Sequence, residues 1–78
     1  MNTSERREYE YVVVLEKGET NWGAYAPDLP GLGVVADTAE EAERLIREGV
    51  EIYLDELREK GEPVPEPASQ VRRVAVAA

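Results

Sequence analysis

The 78 residues contain no cysteine, no histidine and no phenylalanine. Without cysteine no disulfide can form, and a structural zinc site has neither of its usual ligands. Nucleophilic catalysis has little to work with: the two serines, Ser4 and Ser69, lie near opposite ends, and no glycine-rich phosphate loop occurs. Positive charge is scarce. Nine Lys and Arg face 17 Asp and Glu, for a net charge of −8 and a pI near 4.4. Such a balance opposes contact with nucleic acid or an anionic membrane and favours a basic partner. No apolar run is long enough to cross a bilayer. The start, residues 1–8, is polar and lacks the apolar core of a signal peptide, so a cytoplasmic location is expected.

A chain of this length forms one domain, residues 1–78, with a flexible start at 1–8. At this size folding buries only about 60–65% of the surface exposed in the unfolded chain. Small domains compensate with disulfides, metals or self-association. The first two have no residues to build them, so a homodimer or homotetramer is expected.

Tyr9 to Lys17 is rich in β-branched and aromatic residues and reads as a strand. Glu10, Val12, Val14 and Glu16 share one face, and Tyr9, Tyr11, Val13 and Leu15 the other. Both faces are apolar at the centre, which suggests burial on both sides, or on one side plus a subunit contact. Gly18 to Asn21 is a turn, and Trp22 to Ala26 a second strand, paired with the first as a hairpin. Gly33 to Ala36 is a short third strand. Ala42, Leu45, Ile46, Gly49, Val50, Tyr53, Leu54 and Leu57 then follow a helical period, predicting a helix over 39–60. Gly49 within that stripe is expected to mark a close approach of helix and sheet. Pairs Glu40–Arg44, Glu43–Arg47 and Glu56–Lys60 are spaced for contact across one turn. Gly61 suits a helix C′ position, and Pro63, Pro65 and Pro67 make a stiff connector. Gln70 to Val76 is a candidate final strand. The predicted fold is α+β: β-β-β-α-β, an antiparallel sheet of three to four strands with one long helix packed on it.

The organising stretch is Tyr25 to Ala42, Y-A-P-D-L-P-G-L-G-V-V-A-D-T-A-E-E-A. Two prolines restrict the turn Pro27-Asp28-Leu29-Pro30-Gly31, and Gly31 and Gly33 supply the freedom to reverse direction. Thr38 and Glu41 are spaced as a capping box, each side chain serving the other's backbone N–H. With the later run Tyr53-Leu54 through Gly61-Glu62-Pro63-Val64-Pro65-Glu66-Pro67, this order and spacing resembles the HicB-like antitoxin family, over roughly Tyr11 to Pro67. Leu32 stands where that family often has cysteine, and Ala36 where it usually has glycine. The resemblance implies the same fold, described as half of a ribonuclease H-like sheet. It also implies a function: masking a small, basic, mRNA-cleaving toxin of the HicA type. Many relatives carry a further C-terminal DNA-binding domain. None follows the final strand here, so direct nucleic-acid binding is not expected.

Asp28, Asp37, Glu40 and Glu41 are the carboxylates to weigh as a metal-dependent nuclease site. Turn and cap roles account for Asp37, Glu40 and Glu41, so no catalytic, metal or cofactor residue is assigned and no enzyme is expected. The candidate partner-binding residues are Trp22, Tyr25, Pro27, Asp28, Leu29 and Pro30. Trp and Tyr are common interface anchors, although core packing is the favoured role for Trp22. Leu29, between two prolines, is expected to be exposed at a turn tip. Arg72 and Arg73 are read as part of a charged sheet edge. A different class of function stays open: a solitary oligomeric scaffold or small-ligand-binding module with no toxin partner.

Overall fold

In the computed structural model residues 8–78 are described, so the polar start lies outside them except for Glu8. Among these residues the order is β1 (Val14–Lys17), β2 (Trp22–Tyr25), β3 (Gly33–Ala36) and α1 (Ala39–Glu59). The strands form an antiparallel meander, β1-β2-β3, with Val14 opposite Tyr25 and Tyr25 opposite Gly33. One long helix lies on one face of the sheet. This is the expected α+β fold.

Two expected strands differ. The first was predicted from Tyr9, yet only Val14–Lys17 is paired, because its partner stops at Tyr25. Beyond that point Ala26 enters a turn and Pro27 has no N–H to offer a ladder. Residues 10–13 still keep an alternating disposition: Val13 and Leu15 both pack against the core. The predicted final strand, Gln70 to Val76, does not form, and residues 70–78 are all exposed. The described sheet therefore has three strands, the lower of the expected three to four.

The turn after β2 is a double reversal. The N–H of Leu29 donates to the Ala26 carbonyl at 3.0 Å, and that of Leu32 to the Leu29 carbonyl at 3.3 Å. Each turn has proline at its second position. In the second, Gly31 adopts φ 85°, as a type II turn requires at that place.

The helix begins at Thr38, whose Oγ1 accepts from the Glu41 N–H at 3.1 Å. Only this half of the expected capping box is present, since the Glu41 carboxylate turns toward Arg44, 3.7 Å away. Glu43–Arg47 pairs as expected at 3.0 Å, but Arg44 bonds Glu48 rather than Glu40, and Arg58 takes Asp55. All are exposed, and such pairs add little to stability. The helix ends in a Schellman motif. Gly61, at φ 71°, donates to Arg58, and Glu62 donates to Leu57.

The core lies between sheet and helix in two adjoining clusters. One holds Ala24, Ala36, Ala42 and Ile46; the other holds Ala26, Leu29 and Leu54. Val13 and Leu32 pack against both. Four of these seven buried residues are alanine, so helix and sheet approach closely. A Cβ on Gly49 would lie 3.0 Å from the Leu32 side chain, which fits the close approach expected there.

Candidate partner-binding surface

Alternation along the strands assigns each side chain to a face. Leu15, Trp22, Ala24, Val34 and Ala36 belong to the helix-side core. The opposite face therefore carries Val14, Glu16, Gly23, Tyr25 and Val35, with Val12 extending it beyond the paired region. No described element covers this face. Tyr25 is 40% exposed and Val35 65%. Its centre is apolar, and Glu10 and Glu16 flank it along the β1 direction. An apolar centre with a charged margin is the composition of a protein-binding patch.

The six candidate residues separate in the structure. Tyr25 lies on the open face, and Pro27 and Pro30 are exposed in the turn that follows it. Trp22 is half-buried on the helix side, against the first core cluster. Leu29 is 0% exposed, contrary to the expected exposed tip. The double turn explains the reversal: two tight bends in succession fold Leu29 inward, onto Leu54 and Ala26, and leave the prolines outside.

Asp28 is occupied within the chain. Its Oδ2 accepts from the N–H groups of Ala68 at 2.8 Å and Ser69 at 3.0 Å, and its Oδ1 accepts from the Ser69 hydroxyl at 2.9 Å. The Ala68 and Ser69 N–H groups, then the Ser69 hydroxyl, stabilise the carboxylate and hold its pKa below the ordinary 3.8. Two tyrosines complete the bracing. Tyr53 donates to the Pro30 carbonyl at 3.1 Å, tying the turn to the helix, and Tyr11 donates to the Pro65 carbonyl at 2.6 Å. Burial, then the neighbouring Tyr9, raises the pKa of the Tyr11 hydroxyl, so it remains a donor well above neutrality. The proline connector is thus fastened across one end of the sheet.

Sequence reasoning did not single out Val14 and Val35 as surface residues, nor Ser69 as the partner of Asp28. The two-faced apolar pattern of the first strand was the available signal for the open face. A contact across 41 residues leaves no local trace. Among the described residues no group of three or more Asp and Glu converges on a metal-sized site. No described helix is long and apolar enough to cross a membrane.

What the fold presents is a small α+β domain with an apolar sheet face that no described element covers, beside a braced turn. A family model described as the HicB-like antitoxin of bacterial toxin–antitoxin systems matches residues 11–77. The chain belongs to this family. It is also 36% identical over 66 residues to the UPF0150 protein ssr1765 of Synechocystis sp., a match covering 83% of this chain and 84% of that one. No solved structure gives a significant match.

Proposed function

We propose that the chain is an antitoxin that binds and masks a small, basic, mRNA-cleaving toxin of the HicA type. The observation that carries this reading is the family match over residues 11–77. In this reading the contact is made by the open sheet face, with Tyr25 as anchor, Val14 and Val35 around it, and the exposed Pro27 and Pro30 in the turn that follows; the exposure of Tyr25 and Val35 supports the choice. Masking is steric and electrostatic, so no residue here has to react. The net charge of −8 attracts a basic partner and speeds its approach, an effect that salt weakens. The same charge disfavours direct contact with nucleic acid, and a toxin that cuts mRNA places the action in the cytoplasm. In this role Trp22, Asp28 and Leu29 shape the surface from within rather than touch the partner.

A tagged chain is drawn from its own cells at low salt, and bound proteins are identified by mass. A stoichiometric basic protein, released by salt and inhibited in RNA cleavage by re-addition of the antitoxin, supports the proposal. Recovery of the bait alone rejects it in favour of a solitary oligomeric scaffold. The exposed apolar residues of both the sheet face and the 70–78 segment favour self-association in either case.

A further inference from the structure

Residues 8–13 lead into β1, and between them and α1 lies an open groove of about 690 Å³. That volume falls among pockets that hold small organic molecules, about 300–1,000 Å³. Val13, Ile46, Val50 and Leu54 form an apolar floor. On one wall Tyr9 and Tyr11 stack, with ring centroids 6.0 Å apart and planes within 6°. The Tyr11 hydroxyl is tied to the Pro65 carbonyl, which fixes its ring in place. The helix makes the other wall. From Glu43 to Asp55 it extends roughly 18 Å at ~1.5 Å per residue, long enough for an extended aliphatic chain.

The charge on the rim is one-sided. Arg47 bonds Glu43 at 3.0 Å and Arg58 bonds Asp55 at 3.3 Å, so both bases are matched within the helix. Among the described residues no further base lines the groove to balance Glu8, Glu10 and Glu51. These carboxylates are spread out: no three acids of the described residues converge on one point. A compact metal ion finds no cradle there, whereas an elongated cation can meet separated carboxylates. A peptide fits less well, because its backbone amides would lie on an apolar floor and against a helix whose own amides are bonded internally. A linear aliphatic amine is polar only at its nitrogens. Its methylenes match the floor and its ammonium groups match the rim.

We propose that this groove is a binding site for a linear aliphatic polyamine. The ammonium groups pair with Glu8, Glu10 and Glu51, the methylenes lie over Val13, Val50 and Leu54, and a tyrosine ring face takes one ammonium by a cation–π contact. The site is on the helix side of the sheet, away from Tyr25 and Val35. It does not depend on the toxin and is tested without one.

The test titrates spermidine into the full chain at fixed ionic strength while NMR follows the backbone amide shifts. The expected result is saturable one-to-one binding, with shifts confined to residues 8–13 and 43–58. Glu10→Gln with Glu51→Gln should weaken binding about tenfold, the loss of two exposed charge pairs. Tyr9→Leu keeps an apolar side chain and should weaken it about threefold, the loss of a cation–π contact. Glu40→Gln with Glu59→Gln makes the same charge change outside the groove and should alter affinity less than about twofold, because salt screens distant charges. Helical circular dichroism verifies that each variant folds. Absence of shifts at millimolar spermidine overturns the proposal. Equal weakening by the two double variants, or the same shifts with magnesium chloride, overturns it as well, since only a diffuse acidic surface is then at work. A hexapeptide of alternating Arg and Val that binds the same residues at least about tenfold more tightly also overturns it, and assigns the groove to a protein segment.

Discussion

Replacing Leu29 by alanine tests how the central turn is built. The side chain is fully buried between Ala26 and Leu54. The substitution removes three carbons, worth about 2.4 kcal/mol of transfer free energy at ~0.8 per methylene. Both flanking prolines and the Tyr53 contact to Pro30 hold the turn in place, so the site collapses poorly and a cavity term is added. A loss of about 3–4 kcal/mol is expected, inside the range of measured Leu-to-Ala substitutions. Set against a total of roughly 4–12 kcal/mol for a domain of this length, that is a large fraction. Urea unfolding followed by Trp22 fluorescence reads it directly, as a fall in midpoint of roughly 3 M for a slope near 1 kcal/mol/M. Matched protein concentrations are needed, because any dimer adds stability by mass action. Tyr25→Ala, on the open face, is the control and should cost less than about 1 kcal/mol. A cost below ~1 kcal/mol for Leu29→Ala would mean that this side chain points outward, and that the inward double turn is wrong.

Further outcomes follow from single contacts. Thr38→Ala removes the cap on Glu41 and should lower stability by about 1 kcal/mol in the same unfolding assay. Gly49→Val drives a branched side chain into Leu32, 3.0 Å from the new Cβ, and should destabilise by about 1–3 kcal/mol; a more stable variant would show that the gap is wider. The pKa of Asp28 is depressed in the fold, so its contribution is full above 3.8 and is lost as pH falls through the folded value. An amide shift of Ser69 should titrate with a midpoint below 3.8, and a midpoint at or above that value would deny the clamp. Asp28→Asn should speed amide exchange at Ala68 and Ser69 while leaving the helix protected.

Local chemistry made most of the fold legible. The helix announced both ends, through Thr38 and Gly61, and its apolar stripe fixed the buried face. The hairpin followed from two β-rich runs around Gly18 to Asn21. Failures came where the outcome depended on distant partners. The first strand is shorter than its composition suggests because its neighbour gives out at Ala26. Gln70 to Val76 has the composition of a strand but finds no edge within the single chain. Leu29 was misplaced because two prolines imply an exposed tip, whereas the paired turns rotate the residue between them into the core. For the candidate surface, the two-sided apolar pattern around Val12 to Val14 suggested burial on both sides, or on one side plus a subunit contact; in the structure Val12 and Val14 are half-buried on the face opposite the helix. The pattern did not show that Tyr25 shares this face while Trp22 does not, a distinction that needs the register of β1 against β2.

The central proposal is that the open face around Tyr25 masks a basic RNA-cleaving toxin, and binding with inhibition tests it most directly. The toxin recovered with the chain is titrated with wild-type and Tyr25→Ala antitoxin while RNA cleavage is followed. The expected result is stoichiometric inhibition by the wild type, loosened by added salt. The folded Tyr25→Ala variant should inhibit at least about tenfold more weakly, in line with loss of an aromatic anchor. Undiminished cleavage at saturating wild-type chain would contradict the masking function, and equal inhibition by the two proteins would move the contact away from this face.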